Sequence, residues 1–181
     1  LNKMKTYQVI TAASTFPISL TEAKAHLKVD TTADDTYIES LIKAATQLSE
    51  EYTNRFFIDT VIEQYASSFA ELQTLFKSKV SAVAHVKYYD SDNSLQTLSA
   101  TVYDTQLNYE PSQIQLADGQ SFPSITKRND AVLARYTVGY GSSASDVPEI
   151  IKQAILLTIG NFYQNRSSVV IGRIATELPQ N

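Results

Sequence analysis

The chain holds two histidines, His26 and His85, and no cysteine. Neither histidine has a second one at metal-ligand spacing, so no zinc site is legible. A lone His85 is a motif of one residue, and its place in an alternating stretch reads as a sheet position. Asp34-Asp35 could be an acid/base pair or a cation site. The pair also stands just ahead of a helical period, where carboxylates favour the positive end of the helix dipole, and that reading is preferred. Asp90-Ser-Asp92-Asn93 begins like a calcium loop but lacks the later glycine and the bidentate glutamate, so it reads as a turn. Gly139-Tyr-Gly141 has neither a third glycine nor a following Lys-Ser/Thr, as a phosphate loop would. Ser142, Ser143 and Ser145 have no histidine near them in sequence, and nothing supports a nucleophile triad. Without cysteine there are no disulfides, thiolate nucleophiles or thiolate metal sites. The expectation is a protein that is not an enzyme, with no catalytic residue, metal or cofactor.

The tyrosines are the remaining candidate chemistry. Tyr88, Tyr89, Tyr136 and Tyr140 could form an aromatic platform for sugar or single-stranded nucleic acid. The competing account is half-buried sheet residues with their hydroxyls at the rim, and it is the one preferred. The platform gives the alternative function: a tyrosine-rich β-sheet binding module for a carbohydrate or protein ligand.

With 181 residues, 43% hydrophobic and 19% charged, the chain has the make-up of a globular domain able to bury a core. The net charge of −4 argues against tight wrapping of nucleic acid, which calls for a basic excess. No apolar run is long enough to cross a bilayer. Lys3 and Lys5 are not followed by the apolar core of a signal peptide.

The order of elements follows from pattern. Residues 1–18 form a lead-in, with Tyr7 to Ile10 extended. Ser19-Leu-Thr-Glu22 fits a capping box opening a short helix, in which Leu20, Ala23 and Leu27 share a face. A second helix, capped by Asp34 or Asp35, carries Ile38, Leu41, Ile42, Ala45, Leu48 and Tyr52 at helical spacing. It stops near Asn54-Arg55, because asparagine tolerates the left-handed conformation. Residues 56–145 are rich in β-branched and aromatic types and read as strands with no helix between them: 57–69, 80–89, 95–103, an edge pair of 108–109 with 113–116, and 131–140. Asp146-Val-Pro-Glu149 reads as the capping box of a last helix to about Gln164, with Ile151, Ala154, Ile155, Thr158, Ile159 and Phe162 as its inner stripe. The fold class expected is α+β. A helical bundle of the N- and C-terminal thirds (19–55 and 146–166) receives an inserted antiparallel β region (56–145). Residues 167–181 follow as an apolar arm, too short to form a core alone and suited to docking on another protein through Val169, Val170, Ile171, Ile174 and Leu178.

Three blocks in this order carry a family resemblance. The first is Leu20-Thr-Glu-Ala-Lys-Ala-His-Leu-Lys-Val-Asp30 with Asp34-Asp-Thr-Tyr-Ile-Glu-Ser-Leu-Ile42 and Tyr52-Thr-Asn-Arg55. The second is Val83 to Asp90, with its Val-Lys-Tyr-Tyr-Asp. The third is Tyr136-Thr-Val-Gly-Tyr-Gly141, Val147-Pro148, Ile151 to Leu157 and Phe162-Tyr-Gln-Asn-Arg166. The chain resembles the head–tail connector (adaptor) proteins of long-tailed phages. The resemblance implies a structural virion protein made in the host cytoplasm and placed in the neck between head and tail. It implies a homo-oligomeric ring, commonly a dodecamer, below the portal protein and above a tail-side stopper or tail-completion protein. DNA would pass through the lumen without tight binding; no membrane, enzymatic activity or cofactor is implied. Arg55 and Arg166 end helices inside these blocks. Arginine suits interface ion pairs, so the two are candidates for fixing the helix ends or meeting a neighbouring subunit. An ordinary solvated charge near a helix end is the competing account.

Overall fold

A computed structural model describes residues 6–77 and 79–166 of the protein. The described chain opens on a strand, β1 (Thr6–Thr11), so the extended lead-in is part of a sheet. At Ser19 both halves of the capping box form. The hydroxyl accepts the Glu22 N–H, and the Glu22 carboxylate accepts the Ser19 N–H at 2.8 Å, starting α1 (Leu20–Leu27). The second helix, α2 (Asp35–Thr53), ends on Asn54 at φ +54°, the left-handed stop its sequence predicts.

Ile38, Leu41, Ile42 and Ala45 of α2 are buried, but Leu48 and Tyr52, which share their period, are not. Tyr52 is 91% exposed. For Tyr52 the reason is the partner's length. The last helix, α4 (Glu149–Gln164), runs antiparallel to α2, with Tyr37 against Tyr163 at 6.1 Å between ring centroids. Counted from that contact, Tyr52 comes level with Pro148, where α4 has not yet begun.

The start of α4 differs from expectation. Asp146 does not cap it. Asp146 instead closes a capping box with Ser143 around a 3-10 turn, Ala144–Asp146, its carboxylate accepting the Ser143 N–H at 2.9 Å. Val147 is then extended (φ −82°, ψ 128°), as a residue before proline prefers, and the helix begins only after Pro148. Ala154, expected on the inner stripe, is exposed, while Ile155, Leu156 and Ile159 are buried.

Between the helices lie β2 (Thr60–Ala66), β3 (Val80–Tyr89), β4 (Leu95–Thr97), β5 (Tyr103–Gln106), β6 (Gln113–Leu116) and β7 (Val132–Val138). One antiparallel sheet has the order β1-β2-β7-β3-β4, and β5 pairs with β6 apart from it. The stretch 95–103 is therefore two strands rather than one. The partner of 113–116 is 103–106, not 108–109. Residues 107–112 make the reversal instead, with the Ser112 hydroxyl donating to the carbonyl of Tyr109 at 3.2 Å and Pro111 unable to donate to a ladder. The β region is also interrupted by one helical turn, α3 (Phe69–Leu72). Ser68 caps it by accepting the Glu71 N–H, and Phe69 and Leu72 are buried.

Two apolar cores result. Ile62, Val86, Val132, Ala134, Tyr136 and Val138 of the sheet pack with Phe69, Leu72, Leu75 and Ile114. Ala23, Ile38, Ile42, Ala45, Ile155 and Ile159 of α1, α2 and α4 pack with Ile18, Phe57, Ile58 and Val147. The chain is α+β, with mixed helices and an antiparallel sheet. No described helix is long and apolar enough to cross a membrane.

Candidate functional site

Arg55 follows the left-handed Asn54, and its N–H returns to the Glu50 carbonyl at 3.0 Å. That stop aims its guanidinium away from α2. One nitrogen donates to the Tyr140 hydroxyl at 2.9 Å and another to Glu110 at 2.7 Å. The arginine thus ties the end of α2 to the loop after β7 and to the reversal between β5 and β6.

Arg166 stands two residues past α4. It donates to the Asp34 carboxylate at 2.9 Å, and its guanidinium lies 4.6 Å from the ring centroids of both Tyr37 and Tyr163. Asp34 makes no side-chain capping bond to α2. It accepts the Tyr163 hydroxyl and Arg166 instead, and these partners, the hydroxyl first, hold its carboxyl below the ordinary range. Arg55 and Arg166 therefore sit at opposite ends of α2, about 30 Å apart by helical rise, and do not form one site. Val169, Val170, Ile171, Ile174 and Leu178 lie outside the described residues.

The face of the sheet opposite its core holds a charged cluster. Glu63 accepts the Tyr65 hydroxyl at 2.6 Å and Arg135 at 2.9 Å, with the His85 Nε2 at 4.0 Å. Burial works to raise the Glu63 pKa, but these donors prevail and hold it low. The bond to Glu63 pushes the Tyr65 hydroxyl up to about 12. Burial, then Lys87 and Arg135, push the His85 imidazole down. The donors occupying Glu63 make it a cross-strand clamp rather than a free base. Among the described residues no group of three or more His, Asp or Glu is placed to hold a metal ion.

The four tyrosines do not share a face. Tyr136 is fully buried, its hydroxyl donating to the Gln64 Oε1 at 2.6 Å. Tyr88 packs against the sheet core and Tyr140 against the helical core. The Tyr89 ring is covered by the Arg128 guanidinium at 3.7 Å. The aromatic platform on which the alternative binding module rests is absent from this sheet.

What the sequence reading missed is an exposed apolar surface on α4. Ile150 is 77% and Leu157 66% exposed. The signal was present: in sixteen residues α4 carries only Glu149 and Lys152 as charges. The exposed positions of α4 after Glu149, which are Ile150, Gln153, Ala154, Leu157, Asn161 and Gln164, are all uncharged.

The model of the phage gp6-like head–tail connector protein family matches residues 17–118, more than half of the chain. It takes in the first two of the three sequence blocks. The chain is also similar to solved structures at TM-scores that show a shared fold. One belongs to the neck of an empty gene transfer agent particle computed with C6 symmetry (TM-score 0.75, 20% identity, 94% of this chain and 89% of that one). A second belongs to the virion of a native gene transfer agent particle (TM-score 0.74, 21% identity, 93% and 89%). A third belongs to the neck of the native particle computed with C12 symmetry (TM-score 0.68, 20% identity, 93% and 88%). No curated protein matches. Carried by the match over 17–118, with the fold in agreement over nearly the whole length, the chain is a member of the phage gp6-like head–tail connector protein family.

Proposed function

We propose that copies of this chain form a ring in the neck of a virion and join the DNA-filled head to the tail, with DNA passing through the lumen. The observation that carries the reading is the family match, supported by a fold shared with chains in necks of C6 and C12 symmetry. The packed helices α1, α2 and α4 and the five-stranded sheet, which takes in β1 from ahead of α1 as well as strands from between the helices, would together make one segment of the ring wall. A net charge of −4 suits a channel that lets DNA slide, since few phosphate contacts mean little friction. Above the ring would sit the portal protein, and below it a tail-side stopper or completion protein. The arm 167–181, through Val169, Val170, Ile171, Ile174 and Leu178, is proposed to dock on the adjacent subunit or the portal. Arg55 and Arg166 are proposed to brace the helix ends from which these contacts are made.

Imaging tests this directly. Purified protein at high concentration, or particles carrying a tagged copy, are expected to show rings and tag density in the neck. A protein that stays monomeric at every concentration and is missing from particle necks would overturn the reading.

A further inference from the structure

A break in strand pairing places His85 among charges, on the face of the sheet opposite its core. From Val83↔Tyr136 to His85↔Arg135, β3 advances two residues while β7 advances one. The extra residue makes a bulge, which re-aims the side chains beside it. It keeps Val83 and Val86 toward the sheet core and brings His85 into one row with Arg135 and with Glu63 of β2. The His85 Nε2 is buried and has no hydrogen-bond partner among the described residues. The Glu63 Oε2 stands 4.0 Å from it, beyond hydrogen-bond reach. That carboxylate is already engaged. Arg135 brings its Nε to 2.9 Å and its Nη2 to 2.8 Å of Oε2, and the Tyr65 hydroxyl donates to Oε1 at 2.6 Å. An oxygen with two lone pairs has both of them taken.

The charges that face the ring are Glu63 of β2, Arg135 of β7 and Lys87, two residues along β3. The flanking strands β1 and β4 pair Gln8 with Glu63 and Thr97 with Lys87, and neither is charged. Two cations therefore stand against one carboxylate. A neutral ring fits there, because it can carry its one proton on Nδ1. A proton added at Nε2 makes a third cation and a buried N–H with no acceptor in reach.

We propose that His85 is an acid-sensitive joint in the sheet: when its imidazole takes up a proton, β3 loosens from β7 beside the bulge. In the order β1-β2-β7-β3-β4, the β3–β4 hairpin is joined to the rest of the sheet through β7, so this seam is where it would part. The joint lies within one chain and does not depend on the ring reading. Burial first, then Lys87 and Arg135, hold the imidazole below its ordinary value against the pull of Glu63. The stabilisation is then complete above the unfolded value, about 6.5, and is lost as pH falls through the folded one.

Amide hydrogen exchange of the purified chain at about pH 7.5 and about pH 5.5 brackets the histidine range. After correction for the intrinsic rate, β3 amides are expected to exchange about tenfold faster at the lower pH, relative to those of β2. His85→Gln, neutral at both pH values, is expected to remove that difference. A titration of the imidazole signals by NMR needs no change at position 85, and His26→Gln tells the two histidines apart. The His85 midpoint is expected below about 6.5, and Lys87→Gln is expected to raise it. A midpoint above the ordinary value would mean that Glu63 holds the proton and acid tightens the seam, which overturns the proposal. Equal protection of β3 at both pH values, or the same loss in His85→Gln as in wild type, overturns it as well.

Discussion

Asp34 and Arg166 meet at 2.9 Å across 132 positions of sequence. The pair joins the start of α2 to the end of α4, with Tyr163 donating to the same carboxylate and the arginine resting on two tyrosine rings. Its contribution should follow pH with a definite sign. The folded carboxyl is held below its ordinary value, by the Tyr163 hydroxyl first and Arg166 second. The stabilisation is then complete above the unfolded value, about 3.9, and is lost as pH falls through the folded one. Asp34→Asn is expected to melt below wild type at pH 7, with the gap narrowing progressively below about pH 4. Arg166→Lys, which keeps the charge and loses the planar stack, should fall between the two at pH 7. A gap that does not change with pH would show that the Asp34 charge contributes nothing.

The two sides of α4 should respond differently to truncation. Ile155 is fully buried between the helices, and Ile155→Ala is expected to cost about 2–4 kcal/mol by urea unfolding of the monomer. Leu157 is two residues away but exposed. Leu157→Ala is expected to stay within about 0.5 kcal/mol. Similar costs at both positions would mean that α4 is not oriented as described.

Elements whose signals are local were legible in the sequence. Ser19 with Glu22 and the stop at Asn54 depend on a few neighbouring residues, and both form as read. The failures have physical causes. Asp146 belongs to two overlapping capping patterns, Ser143-x-x-Asp146 and Asp146-x-x-Glu149, and the restriction that Pro148 places on Val147 selects the first. Ser68-x-x-Glu71 is an equally local signal, but it lies inside a stretch whose composition reads as strand. The period of α2 identified its buried stripe but could not say where the covering helix stops, so Tyr52 was counted inside. The partners of Arg55, Tyr140 and Glu110, are 85 and 55 residues away, and no spacing rule reaches them. The exposed surface on α4 was half legible. The missing charge is written in the sequence, but which apolar residues point outward depends on where α1 and α2 pack.

Gly139 tests the joint between the sheet and the helices. It has φ +150°, and a Cβ there would lie 2.7 Å from the backbone nitrogen of Asp59. That nitrogen is itself held, donating to the Gly141 carbonyl at 2.9 Å. Gly119 also has positive φ, +69°, but nothing stands within 4 Å of the added atom. Gly119→Ala is expected to cost about 1 kcal/mol from backbone conformation alone. Gly139→Ala should cost more, up to about 3 kcal/mol, because backbone must move as well. Thermal melts of the two variants check the ranking, and equal costs would mean that the joint yields freely.

The arm 167–181 separates folding from assembly. The described residues of both cores lie between Ile18 and Tyr163, and the Arg166 contact with Asp34 also precedes the arm. Nothing in the described packing requires residues 167–181. Deleting them is therefore expected to leave the melting temperature of the monomer within a degree or two, since a 1 kcal/mol loss would move it by roughly 2–4 °C in a domain of this size class. If the arm docks on a neighbouring subunit or the portal, the same deletion should remove the chain from particles. Replacing Val169, Val170, Ile171, Ile174 and Leu178 together by serine keeps the length and tests whether the apolar side chains are the cause. Two measurements decide: a melt of the purified variant, and a blot for the chain in purified particles. A deleted chain that enters particles at the wild-type level and supports tail joining would sink the docking role, whatever its stability. A deleted chain that no longer folds would instead place the arm within the chain's own core, and the serine variant would then be expected to unfold with it.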